Sequence, residues 1–260
     1  MLPAELERHL GLLALGAARS LPLVWLIPAF GGPTLSLPLR LAFGVALSAL
    51  CLPILSAQVP DGALLLWTVL AAREVLVGVV MGFLCACWFR AAEAAGGFVD
   101  ALSGYGALDA GAPVGTGRSG PFAATMLLMS TVVFLEIGGI GHVAVALARS
   151  YDAIPISTPL RLAPAAHAMA SGAILASGKL IESALGLCAP VLIALVLADL
   201  VLGFIGRAVP QLPVHALGVP AKALLGVGVL LLGLGGIQAA MQGSLAGFLA
   251  LMRSATEIGR

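Results

Sequence analysis

Apolar residues run through this chain in long blocks rather than in alternation, interrupted by proline, glycine and isolated charges. Blocks of this length read as helices, because strands are shorter and alternate. The pattern predicts six helical segments, near Leu10–Ile27, Leu37–Ala57, Ala63–Phe89, Phe122–Ala148, Ala168–Arg207 (long and broken) and Val214–Ile237. Several reach the ~20 residues needed to cross a bilayer. A further helical tail, Gln238–Arg253, is apolar but carries Gln238, Gln242 and Arg253, which suits an interfacial position or packing against another protein. The predicted fold class is all-α: a polytopic membrane protein forming a single domain over residues 1–260.

Two connections interrupt the apolar blocks. Pro28-Ala29-Phe30-Gly31-Gly32-Pro33, followed by Pro38, reads as a rigid turn, since proline fixes φ and glycine permits positive φ. The stretch from Gly104 to Gly120 is too rich in glycine to form a stable helix. A polar loop of this length between apolar segments is either functional or a solvated connection.

Composition sharpens the class. Hydrophobic residues make up 60% of the 260 positions and charged residues 10%, with a mean hydropathy of +1.10. A soluble domain carries roughly a quarter charged residues, so this chain lacks the polar surface to face water all round. A net charge of +1 gives no basic face for nucleic acid. The N-terminus begins with Glu5, Glu7 and Arg8 and leads into further membrane-like sequence, which argues against a cleaved signal peptide. The cysteines Cys51, Cys85, Cys87 and Cys188 lie in apolar runs and read as small hydrophobes, predicting neither a disulfide nor a metal site.

Orientation is usually set by basic loops on the cytoplasmic side. In the six-segment scheme Arg8, Arg149, Arg161, Arg253 and Arg260 fall on one side, and Arg40, Arg90, Arg118, Arg207 and Lys222 on the other. Arg19, Arg73 and Lys179 lie inside segments. The even split leaves orientation open and sits poorly with an ordinary up-and-down bundle.

Charges inside apolar runs mark paired or functional positions. Arg73 and Glu74 are adjacent, about 100° apart on a helix, and are expected to find different partners. Gly78 and Gly82 follow with the spacing that lets another helix approach. Glu136 precedes Gly138-Gly139, and Lys179 and Glu182 are spaced to pair with each other. Asp199, Gly203 and Arg207 share one stripe, with Lys222 beyond three prolines. An ion relay would cluster carboxylates or histidines on one segment, yet His9, His142, His167 and His215 are scattered. These charges are therefore read as structural pairs, within the chain or between subunits. No HExxH, GxxxxGK[ST] or GxSxG motif is present, so neither catalytic nor metal residues are assigned, no cofactor is expected, and the chain is read as a non-enzyme.

Taken in order, the polar punctuation resembles the FliR/SctT family, inner-membrane export-gate proteins of bacterial flagellar and virulence type III secretion systems. Ala18-Arg19-Ser20, leading to Pro28 and to Leu37-Pro38-Leu39-Arg40, is similar to the family's opening hairpin. Arg73-Glu74 with Gly78 and Gly82, then Gly96-Gly97-Phe98-Val99-Asp100, resembles its central block. Leu135 to His142 and Ser150-Tyr151-Asp152-Ala153-Ile154-Pro155 resemble the next. The strongest likeness is Ala198-Asp199-Leu200, Gly203, Gly206-Arg207-Ala208-Val209-Pro210-Gln211-Leu212 and Leu217-Gly218-Val219-Pro220-Ala221-Lys222. Pro213 and His215 depart from the family's Asn and Phe at these positions.

The resemblance implies a structural subunit that forms, with FliP/SctR-like and FliQ/SctS-like subunits and in contact with the FlhB/SctU-like switch protein, the gate for unfolded secreted substrates. It implies a multi-pass protein of the bacterial inner membrane, within the basal body or secretion system, in contact with membrane lipid. The implied fold is long broken helical hairpins in a fused FliP-like/FliQ-like arrangement, held largely within a protein complex. It also makes the Gly104–Gly120 loop the candidate pore plug, with Tyr105, Leu108 and Val114 filling the lumen and Asp109 and Arg118 holding the loop in place. The alternative reading is a secondary transporter of a small solute, with discontinuous helices at Pro28–Pro33 and Pro210–Pro220. An intramembrane enzyme is the third.

Overall fold

A computed structural model describes residues 4–30, 36–56, 64–104, 120–156, 162–209, 211 and 213–257. Among them the secondary structure is helical throughout, with no strand. The order is α1 (Ala4–Leu26), a short 3-10 turn (Pro28–Phe30), α2 (Leu37–Leu50), α3 (Leu52–Leu55), α4 (Leu64–Ser103), α5 (Pro121–Glu136), α6 (Gly139–Ala153), α7 (Leu162–Ala208), α8 (Val214–Leu232) and α9 (Leu234–Glu257). Among the described residues four helices are long and apolar enough to cross a membrane, or five spans if α5 and α6 count as one bent span. The protein is an all-α, integral membrane protein.

Several segment boundaries are corrected. The third segment does not stop at Phe89: α4 runs 40 residues to Ser103. Arg90 reaches outward and its guanidinium donates to Glu93 at 2.5 Å. The intervening alanines, strong helix formers, stay packed at Ala91, Ala92 and Ala95. The fourth segment is two helices bent by 70°. Gly138 at the break has φ 70°, and the Phe134 ring occupies the space where a side chain on Gly139 would lie. The fifth is unbroken through Pro190. The sixth ends at Gly233, and the tail belongs to α9. The second splits at Cys51, ahead of Pro53, and α2 at 14 residues is too short to span. Cys51 itself is packed, and burial raises its thiol pKa against the opposing charge of Arg19.

The chain divides into two compact units. The first comprises Met1–Cys87, Phe134–Gly178 and Ala246–Arg260. Here α1 lies along α2, and α3 touches α6. Small residues set the spacing: Gly16 faces Ser48 and Leu55, Gly44 faces Leu21, and Gly78 and Gly82 of α4 face the α1 backbone at Arg19 and Leu23. The Ser20 hydroxyl donates to the Gly44 carbonyl at 2.7 Å, and that of Ser48 to Leu13 at 3.0 Å. Leu12, Leu23, Ile27, Leu55, Leu147 and Tyr151 fill the core.

The second unit comprises Trp88–Val133 and Lys179–Leu245. Trp88 is buried against the edge of Phe89, with ring centroids 4.9 Å apart. Its indole N–H donates to the Ser244 hydroxyl at 2.9 Å and the Met241 carbonyl at 3.2 Å. Gly96 lets α4 meet the start of α5 at Phe122 and Ala123, backbone on backbone, and Gly226 of α8 takes the Phe122 ring.

Candidate functional site

Two polar assemblies stand out, one in each unit. In the first, Arg19 of α1 is completely buried. Its Nε donates to Glu74 Oε2 at 2.5 Å, one terminal nitrogen to the Ser150 hydroxyl at 2.9 Å, and the other to the Ile154 carbonyl at 3.0 Å. The guanidinium also sits 4.1 Å from the centre of the Tyr151 ring, within cation–π range. Arg73 of α4 lies 3.0 Å from the other Glu74 oxygen and donates to the Pro155 carbonyl at 2.6 Å.

The two carbonyls that follow α6, those of Ile154 and Pro155, are thus held by two guanidinium groups. The cations stand at the negative end of the helix, which suits them. Glu74, with its side chain fully buried, is the carboxylate that answers both arginines. The expectation that Arg73 and Glu74 would find different partners is therefore corrected: they share this knot, because the long arginine side chain bridges the 100° between them. Sequence reasoning missed the convergence of Glu74, Ser150 and Tyr151 on Arg19. Its one signal was an arginine inside an apolar segment, and nothing in the spacing said what it would meet.

In the second unit, the Asp100 carboxylate of α4 accepts the backbone N–H groups of Phe122 (3.1 Å) and Ala123 (2.8 Å). It caps the first turn of α5 from twenty-odd residues away, and Gly120 leaves room for it. Nearby, Lys222 of α8 donates to the Leu102 carbonyl at 3.1 Å and pairs with Asp199 of α7 at 2.7 Å. Gly104, at φ 88°, packs on Val219. Asp199, Gly203, Gly206, Arg207, Gly218 and Lys222 line an open pocket of about 360 Å³.

The other expected residues fall as follows. Glu136, Glu182, Asp199 and Arg207 are exposed and Lys179 half-buried in the chain as it stands. No ion pair joins Lys179 to Glu182. An exposed pair at this spacing is worth a few tenths of a kcal/mol, too little to hold two flexible side chains. Pro28 opens the 3-10 turn, Pro155 accepts from Arg73, Gln211 is exposed, and Pro220 lies inside α8. Pro210 and the loop residues Tyr105, Leu108, Asp109, Val114 and Arg118 lie outside the described residues. Among the described residues no group of histidine, cysteine and carboxylate side chains is placed to hold a metal.

The profile of the family "Bacterial export proteins, family 1" matches residues 10–248. The flagellar biosynthetic protein FliR of Pectobacterium carotovorum is 26% identical over 216 residues, covering 83% of this chain and 80% of that protein. FliR of Aquifex aeolicus is 25% identical over 229 residues, 88% and 87% of the two chains. The surface presentation of antigens protein SpaR of Salmonella typhimurium is 25% identical over 231 residues, 88% and 84%. Both assemblies lie inside the matched region, and by that match this chain belongs to family 1 of the bacterial export proteins.

Proposed function

We propose that this chain is a structural subunit of a type III secretion export apparatus. With FliP/SctR-like and FliQ/SctS-like subunits, and against an FlhB/SctU-like switch protein, it forms the gate that passes unfolded substrates across the bacterial inner membrane. The observation that carries this reading is the family match over nearly the whole chain, with flagellar FliR and SpaR proteins among its relatives. It works without chemistry of its own, as a scaffold, inside the basal body or secretion system. The segment from Gly104 to Gly120 acts as the plug of the closed pore.

The lengths of the helices support a life within a protein assembly. The apolar stretch of α7, Ala170–Ala208, has 39 residues, and in its 18-residue apolar window only 22% of them are buried inside the chain. At 1.5 Å per residue it is roughly 58 Å long, far beyond the ~30 Å hydrocarbon core. Exposed apolar surface that lipid is too thin to cover calls for neighbouring helices. The transporter alternative is not favoured, since the family match and the FliR and SpaR relatives point to an export component.

Deletion of the gene from its host tests the reading. Culture supernatants are expected to lose type III substrates and regain them with a plasmid copy, while general Sec-dependent secretion is unchanged. Normal type III secretion in the deletion strain would overturn it.

A further inference from the structure

We propose that the pocket between the end of α7 and the start of α8 binds the phosphate of an anionic phospholipid. The pocket holds two cations, Arg207 and Lys222, against one carboxylate, Asp199. Lys222 is committed, to Asp199 and to the Leu102 carbonyl. Arg207 is exposed and makes no ion pair or hydrogen bond with any described residue. The pocket therefore carries a net positive charge concentrated on a guanidinium, whose fork of donors suits phosphate.

The floor explains why there is room. Gly203, Gly206 and Gly218 line it with backbone alone, and no atom stands within 4 Å of where a Cβ on Gly203 would lie. The resulting volume, about 360 Å³, is within the range of small-ligand sites and larger than one carboxylate side chain requires.

The surroundings select lipid over a soluble anion. On the Arg207 side of α7, seven and three positions before it, Leu200 and Phe204 are exposed. Along α7, Glu182 and Arg207 are 25 positions apart, roughly 37 Å of helix. That is close to the ~40–45 Å of a bilayer with its headgroups. Arg207 then stands at headgroup level, with acyl chains lying against the apolar side chains below it. Basic pockets between helices at this depth hold anionic headgroups. The rest of α7 stays open to partner subunits.

The test is native mass spectrometry of the full chain, purified with its associated subunits, delipidated and titrated with phosphatidylglycerol or phosphatidylethanolamine. Wild type is expected to prefer phosphatidylglycerol by about fivefold, the effect of one arginine at the membrane surface. Arg207→Gln should abolish that preference, as should Gly203→Leu, which fills the pocket and leaves every charge in place. Arg90→Gln, at a guanidinium already paired with Glu93, should keep it. Millimolar inorganic phosphate should not displace the lipid. Equal lipid binding by wild type and both pocket variants would overturn the proposal. So would displacement by phosphate, or loss of a co-purifying protein from Arg207→Gln with lipid binding intact, which would make the pocket a protein contact.

Discussion

Glu74→Gln is expected to be the most damaging conservative substitution in the chain. It leaves the volume intact but removes the charge that answers Arg19 and Arg73, both buried. Breaking a buried pair by neutralising one partner costs about 3–5 kcal/mol, because the other charge stays buried without compensation. Here two guanidinium groups are stranded together. That loss is a large part of a typical domain's stability, so the variant should fail to accumulate, or should lose its cooperative thermal transition in detergent. The effect should also be charge-specific. The triple variant Arg19→Met, Arg73→Met, Glu74→Leu removes all three charges and should accumulate better than Glu74→Gln alone, since apolar replacement of a whole ionic cluster is often tolerated. Wild-type stability in Glu74→Gln would show that the knot does not hold the first unit together.

Gly96→Val should be nearly as severe, for a steric reason. A Cβ at Gly96 falls on the backbone of Phe122 and Ala123, which has no rotamer to swing aside. Overpacking of this kind costs about 1–3 kcal/mol and more where backbone must move. The movement would also pull Phe122 and Ala123 away from the Asp100 carboxylate. Gly97 is the matched control one residue on, with nothing within 4 Å of where its Cβ would lie. Gly97→Ala should be neutral or stabilising by up to ~1 kcal/mol, since alanine favours helix over glycine. Thermal melts of the two variants in the same detergent separate these outcomes. Equal behaviour at Gly96 and Gly97 would contradict the close approach of α4 and α5.

How much was legible in the sequence depends on the range of the interaction. The all-α class and the apolar segments follow from local hydropathy. So does the stripe of Asp199, Gly203 and Arg207, which the structure places along one pocket. Segment ends were less legible, because a single charged residue such as Arg90 reads as a boundary, yet it can reach outward from a continuing helix. The 70° break after Glu136 was announced by Gly138-Gly139, but paired glycines in a membrane helix serve close packing as often as a bend. The knot was the least legible feature. Glu74 and Ser150 lie 55 and 131 positions from Arg19, which both of them contact, and spacing along one helix carries no information about a partner on another. Asp100 capping α5 is hidden for the same reason.

Membership of an assembly is the central claim, and co-expression of this chain with the FliP-like and FliQ-like proteins of its own genome, followed by native mass spectrometry of the detergent-purified product, tests it most directly. One copy of this chain in a larger closed complex with both partners is the result expected from a gate subunit. A stable particle of this chain alone, indifferent to both partners, would contradict it.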